Sequence, residues 1–358
     1  MLYEQNSVYL NNFLEIVIRK LFVYVFILCS LSVYSQGAGM VFDSFLEYPS
    51  SAHVAALGGH NVSYIGNDPM FSINNPASLT TSVDNLLYLN YSIYLANSGY
   101  GSALYSTKFS DVDAFSGSFQ FAQYGKMDGY DENGVETGSF SAQEFALNAT
   151  YSRQLNKYFT IGVTFKPIIS TYETYTSFAL GADLGVMFSD TTHLVSAGLS
   201  VTNVGGRVYG PEDIHLTSDL LPINVSVGVS KSFSKAPIAL HLTLQNLQKW
   251  DYDYATNSLV DGAGKVSLGE AFARKIILGI DIVPKSKKFW VSIAYNFERG
   301  LALANDDIFS VAGLTGGVGF KIKMFSLGGA VAVYNSAGIT GHISMAVDIN
   351  GFNKKNSL

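Results

Sequence analysis

From about residue 85 onward the chain repeats one pattern fourteen times: some ten residues in which large apolar side chains alternate with small or polar ones. The closing stretch is the clearest, with Ile339, Gly341, Ile343, Met345, Val347 and Ile349 on one face and Thr340, His342, Ser344, Ala346, Asp348 and Asn350 on the other. Successive side chains of a pleated strand point to opposite faces, so a period of two specifies β-strands. Strands are expected near 86–95, 100–109, 113–123, 141–153, 158–168, 174–188, 193–203, 222–232, 237–247, 275–283, 288–297, 311–322, 325–334 and 339–350. A tilted strand of about 9–11 residues is enough to cross the hydrocarbon of a bilayer.

Alternation alone leaves open which face meets lipid. One set is bulky, as in Ile238, Leu240, Leu242 and Leu244; its partners are small or polar, as in Asn224, Ser226, Gly228 and Ser230, or His241, Thr243 and Gln245. A soluble sandwich would show charged residues to water, but only 14% of this chain is charged against 48% hydrophobic. About eight strands already close a side-chain-filled barrel, so fourteen enclose more space than strand residues fill. The expected fold is therefore all-β, a 14-stranded antiparallel transmembrane β-barrel with its bulky face outward.

The connections point the same way. Even-numbered ones are tight (Ser110–Val112, Gln154–Lys157, Asp190–Thr192, Ser234–Ala236, Pro284–Lys287, Lys323–Met324), whereas odd-numbered ones include the long stretches 124–140, 204–221 and 248–274. Outer-membrane barrels have short periplasmic turns and longer external loops. Tyr94, Phe109, Tyr158, Phe233, Trp290 and Tyr334 lie near strand ends, where they form interfacial girdles or simply follow the β-propensity of aromatics.

Arg19 and Lys20 precede an apolar run, Leu21–Leu31, and then Val33 and Ser35, which suit the −3 and −1 positions of signal peptidase. Residues 1–35 are expected to be an export signal, 36–85 a separate N-terminal segment, 86–350 the barrel and 351–358 a short tail. Cys29 is the only cysteine and lies in the signal, which excludes disulfides and thiol chemistry from the mature chain. The signal carries two acidic and two basic residues, so the net charge stays at −6 and gives no electrostatic case for nucleic acid.

The N-terminal segment lacks alternation and is marked by Pro49, Gly58, Gly59, Pro69, Asn75 and Pro76, with a short helix expected over 52–57 ending at Gly58-Gly59. It is expected to plug the lumen or to lie across the barrel mouth as a cap. No histidine spacing suits a metal, and no catalytic elbow or phosphate loop occurs; His342 and Ser344 read as lumen residues. Neither an enzyme nor a cofactor is expected. Asp128 to Gly134 offers oxygen ligands but lacks the full calcium-loop spacing, so it reads as a solvated acidic turn. Trp250, Tyr252 and Tyr254 in the longest loop are candidate partner anchors, as are Tyr124, Asp128, Tyr130 and Asp131 in the second external loop. A short helix is expected within 266–274 on the rim.

The motifs Phe45-Leu46-Glu47-Tyr48-Pro49-Ser50-Ser51-Ala52-His53, Ala55-Ala56-Leu57-Gly58-Gly59 and Asn75-Pro76-Ala77 resemble the entry of the PorV/PorQ group. These are FadL-like outer-membrane proteins of the type IX secretion system of Bacteroidetes. Tyr124-Gly125-Lys126 and Asp131-Glu132-Asn133-Gly134 through Phe140 continue the likeness, with Leu57-Gly58-Gly59 and the D-E-N-G loop on the PorQ side of the group. His53 stands where the group is expected to have Arg. The likeness is specific over 42–150 and architectural beyond. It implies a non-catalytic outer-membrane anchor for a PorZ-like surface protein, within an attachment complex that also holds PorV and the sortase PorU. A FadL-type channel for hydrophobic small molecules and a PorV-like cargo shuttle are the alternatives.

Overall fold

The computed structural model describes residues 44–94, 98–130, 134–172, 175–210, 220–250, 267–284, 286–302, 311–335 and 338–353. Fourteen strands close into one barrel, each paired antiparallel with its sequence neighbours and β1 with β14. The strands are β1 (Leu86–Ile93), β2 (Gly99–Lys108), β3 (Asp113–Tyr130), β4 (Glu136–Gln154), β5 (Phe159–Tyr172), β6 (Tyr175–Asp190) and β7 (Val195–Tyr209). They continue as β8 (Asn224–Ser232), β9 (Ile238–Leu244), β10 (Ile276–Ile282), β11 (Phe289–Asn296), β12 (Leu314–Ile322), β13 (Phe325–Asn335) and β14 (Gly338–Asp348). Closure leaves no unpaired edge, which lipid would not tolerate.

The faces divide as the alternation requires. Ile238, Leu240, Leu242, Leu278, Ile280, Val291, Ile293, Val331 and Ile343 are exposed on the outer belt, whereas Ser226, Ser230, His241, Thr243, Ser292 and Ser344 are buried. The core of this molecule is its lumen, and the apolar belt faces outward as a bilayer demands.

Three features depart from the sequence expectation. β3 and β4 contain 18 and 19 residues, so most of the stretch expected as loop 124–140 is hairpin. About ten residues cross the hydrocarbon, so this hairpin rises roughly 20 Å beyond it. Gly125 at φ 71 and Gly138 at φ 124 hide the continuation, because the register shifts there and the alternation breaks. β7 likewise runs on past Asn203, whose φ of 59 and hydrogen bond from its N–H to Asp183 Oδ1 form a bulge. Finally, Trp290, Tyr94 and Tyr334 point into the lumen, packing on His53, Tyr48 and Arg299 respectively, while Phe109 and Phe233 are exposed as girdle residues should be.

The even-numbered turns are tight, with Leu194, Lys287 and Lys323 at positive φ. The long connections 210–223, 245–275 and 297–313 are all odd-numbered, so they leave the strands at the same end of the barrel. Two of them carry short helices, α2 (Leu268–Ala273), capped by Ser267, and α3 (Phe297–Ala302). The ladder between β4 and β5 is interrupted between the pairs Ala146↔Ile168 and Ala149↔Phe165, where Pro167 has no N–H to give.

Within the N-terminal segment, α1 (Ala52–Ala56) starts at Ser51, whose side chain accepts from the Val54 N–H, and stops at Leu57 before Gly58 (φ 88) and Gly59 (φ 90). Two 3-10 turns follow, Pro69–Ile73 capped by Asp68 and Pro76–Ser78 capped by Asn75, each with proline at its first position.

Candidate functional site

The described part of the segment, from residue 44 to the start of β1, is laid against the inward faces of the strands. The α1 residues Ala52, Val54, Ala55 and Ala56 are buried, and the Ala52 N–H donates to Ser344 Oγ of β14 at 2.7 Å. Gly58 is held from both sides: its N–H donates to Thr315 Oγ1 of β12 at 3.1 Å, and its carbonyl accepts from Asn296 Nδ2 of β11 at 3.1 Å. Ser102 of β2 donates to the Ser50 carbonyl at 2.6 Å, Ser196 of β7 to the Ser63 carbonyl at 2.6 Å, and Ser152 of β4 to the Leu79 carbonyl. Small polar residues on the inward face thus satisfy backbone groups that would otherwise be orphaned in the lumen.

The Asn75-Pro76 motif has its own seat. Asn75 Oδ1 accepts from the Ala77 N–H at 3.0 Å, and Nδ2 donates to the Val62 carbonyl at 2.7 Å. The backbone here presses onto glycines of three adjacent strands. A Cβ at Gly162 would stand 2.3 Å from the Pro76 carbonyl carbon, one at Gly185 2.0 Å from Asn75 Oδ1, and one at Gly198 1.8 Å from the Val62 oxygen. Only glycine allows so close an approach. Pro49 is buried and packs beside Gly59. Every residue of the plug motif, Pro49, Gly58, Gly59, Asn75 and Pro76, therefore lies at a contact.

His53 is the hub of the lower lumen. Its ring stacks on Trp290 at 4.1 Å and 11°, with Tyr64 and Phe71 edge-on. Nε2 lies 3.2 Å from Asp281 Oδ2 of β10 and Nδ1 3.8 Å from Asp68 Oδ2 of the segment. Ser292 donates to the other Asp281 oxygen at 2.7 Å. Burial pushes the Asp68 carboxyl up, against His53 and the Met70 N–H, which pull it down. His60 accepts at Nδ1 from Asn74 Nδ2 (2.8 Å), which leaves its Nε2–H to donate to Ser226 Oγ of β8 (3.1 Å), and burial lowers its pKa to about 4. The sequence marked His53 only as a departure from a motif; its partner Asp281 lies 228 residues away, and no local signal joins them.

Below this hub a cavity of about 1660 Å³ opens at the short-turn end. On the long-loop side the lumen is filled by a cluster of Phe45, Leu46, Tyr100, Ile168 and Leu221, with Tyr48, Tyr94, Tyr124 and Tyr172 packed against it. The buried Glu144 accepts from the hydroxyls of Tyr124 and Tyr172 within this cluster.

Tyr124 is therefore corrected: it belongs to β3 and to the lumen, because the bulge at Gly125 extends the strand past it. Asp128 is exposed in the upper hairpin opposite Ser139, and Tyr130 ends β3 opposite Glu136. Trp250 is 43% exposed; its Nε1–H donates to the Leu247 carbonyl at 2.8 Å and Lys275 Nζ sits 4.4 Å from its ring. Asp131, Tyr252, Tyr254 and the signal residues lie outside the described residues.

No protein-family model matches the chain, and no curated protein matches it by sequence. Among solved structures it is similar to a deltaS2S3 mutant of the monoaromatic hydrocarbon channel TodX, at a TM-score of 0.54 and 12% identity over 86% of this chain and 100% of that one. It is also similar to the Pseudomonas putida toluene transporter TodX, at 0.50 and 12% over 86% and 98%. The barrel fold is FadL-like. What is shared is the architecture of a closed fourteen-stranded barrel, and the glycine seats and the His53 hub are described from this chain's own residues.

Proposed function

We propose that this chain is a non-enzymatic, exported integral protein of the outer membrane whose lumen is stopped by its own N-terminal segment, and that it anchors a surface partner. The observation that carries this reading is the seating of the segment. It is hydrogen-bonded to β2, β4, β6, β7, β8, β10, β11, β12 and β14, and its backbone nests on the wall glycines. A lumen filled in this way offers a rigid support for loops rather than a path for solutes, and binding surfaces concentrate on loops held by rigid scaffolds. The raised β3–β4 hairpin and the half-exposed Trp250 supply such a surface. The likeness of residues 42–150 to the PorQ side of the PorV/PorQ group supports one kind of partner: a PorZ-like surface protein of the type IX attachment complex, with PorU and PorV in the same assembly. No cofactor is involved.

The test is affinity purification of the tagged barrel from solubilised outer membranes. A stoichiometric, surface-exposed partner supports the anchor; a bound hydrophobic small molecule with no protein partner overturns it. That second outcome belongs to a FadL-type channel, a reading favoured by the break in the β4–β5 ladder at Pro167, where the wall lacks a hydrogen bond.

A further inference from the structure

The short-turn end of the barrel carries a one-sided charge that anchoring at the opposite end does not use. Three consecutive turns, β8–β9, β10–β11 and β12–β13, bring Lys235, Lys287, Lys288, Lys321 and Lys323 to the mouth of the 1660 Å³ cavity. Of these, Lys321 lies 3.9 Å from Asp348. The acids that line the same mouth each have a partner: Asp348 has Lys321, Asp190 has His193 at 2.6 Å, and Asp84 accepts from the Lys108 N–H at 3.0 Å and from Asn350 Nδ2 at 3.2 Å. Lys235, Lys287, Lys288 and Lys323 thus form a cationic arc along one side of the opening, with Asp84 and Asp190 elsewhere on its lining.

The cavity beneath has a built floor. His241 is 5% exposed, its Nδ1 is taken by Ser230 Oγ at 2.7 Å, and its Nε2 has no partner among the described residues. Beside it stand Tyr64 and Trp290, which give the wall aromatic surface. The floor acids Asp68 and Asp281 both lie against His53, at 3.8 and 3.2 Å. The volume exceeds the about 300–1,000 Å³ that encloses a drug-sized ligand, which leaves room for a short stretch of polypeptide.

We propose that this mouth is a docking site for an acidic, extended polypeptide segment presented from the periplasmic side. Its carboxylates meet the lysine arc, and its tip enters the cavity as far as His241 and Trp290. The lysines supply steering and selection, because rim charges set association rate and partner choice more than they set affinity. The site lies on the opposite end of the barrel from the loops of the proposed surface dock, so both can be occupied at once.

The chain has two tryptophans, so Trp250→Phe leaves Trp290 as the reporter inside the cavity. The purified full-length barrel in detergent is titrated with an oligoglutamate peptide, with an oligoglutamine peptide of equal length, and with inorganic phosphate at matched ionic strength. A saturable change in Trp290 emission with oligoglutamate alone, weakened at least tenfold by Lys235→Glu, Lys287→Glu and Lys288→Glu together, is the expected result. These lysines lie on turns, and heat-modifiable migration on gels verifies that the triple variant is folded. Equal binding by the triple variant overturns the proposal. So does an equal response to phosphate, which would mean a small-anion site, or to oligoglutamine, which would remove charge from the recognition. Loss of the surface partner leaves this result untouched, so the two readings fail separately.

Discussion

Gly198→Ala tests the seating of the N-terminal segment most directly. A methyl group on Gly198 would lie 1.8 Å from the Val62 carbonyl oxygen, which is backbone and does not swing aside. Restoring an ordinary contact of about 3.4 Å requires the segment to shift by roughly 1.6 Å, enough to break hydrogen bonds whose geometry is narrow. Those at stake are Asn75 Nδ2 to Val62 O at 2.7 Å, Ser196 Oγ to Ser63 O at 2.6 Å and the Ser63–Ser230 contact at 2.6 Å. Overpacking costs about 1–3 kcal/mol and each lost hydrogen bond about 0.5–1.5 kcal/mol, with partial relaxation of the wall returning some of it. A weakening of docking by about 3 kcal/mol raises the undocked population about a hundredfold. Hydrogen exchange read on peptides spanning 50–80 should accelerate by that factor while strand peptides on the far wall keep their protection. Gly185→Ala should behave alike, since its methyl would meet Asn75 Oδ1 at 2.0 Å. Gly117→Ala is the control, because nothing lies within 4 Å of a Cβ there. Exchange in Gly198→Ala and Gly185→Ala that matches Gly117→Ala would refute the claim that these glycines are seats.

Leu242 is on the outer belt, so Leu242→Arg should weaken folding into bilayers by about 2–4 kcal/mol, whereas His241→Arg, beside the open cavity, should be milder; the reverse ranking in refolding titrations would invert the barrel's faces. His60 in the docked segment is held neutral with a pKa near 4, while a released His60 titrates near 6.5, so the released state binds more protons between those values. Docking is therefore at full strength above pH 6.5 and weakens as the pH falls toward 4, by up to about 3 kcal/mol; exchange of 50–80 should quicken over that window and lose that dependence in His60→Gln. Replacing Trp250, Tyr252 and Tyr254 together with Ala should release the surface partner in affinity purification, since buried aromatic anchors typically carry about 2 kcal/mol or more each, while Asp251→Ala with Asp253→Ala should do much less; retention of the partner at wild-type stoichiometry would move the dock to the β3–β4 hairpin.

All fourteen strands were legible because side-chain alternation is a local property, whereas the register of β14 against β1 is seen only in the structure, since the faces fix its parity alone. What was not legible depends on breaks in the backbone, on parity or on distance. Positive φ at Gly125, Gly138 and Asn203 resets the alternation, so the tops of β3, β4 and β7 looked like loops and Tyr124 looked like a loop residue. For Trp290 and Tyr334 the choice between girdle and plain β-propensity turns on parity: Val291 and Val331 are outward, and neighbours at odd spacing must then point inward. Gly162, Gly185 and Gly198 carried no mark in the sequence, because the backbone they receive comes from residues 62 to 77 and nothing nearby in sequence announces it.

The closing pair of strands sets an order of events for assembly. β1 and β14 are the first and last strands, yet they zip together along eight paired positions from Leu86↔Asp348 to Ile93↔Gly341. The N-terminal segment precedes β1 and bonds to strands all round the wall, so its full set of contacts exists only once that last seam has formed, with the Ala52 contact to Ser344 on β14 among the final ones made. The segment is then less a stopper inserted into a finished tube than a mandrel around which the tube is wound, and a chain that loses it should close late or around water.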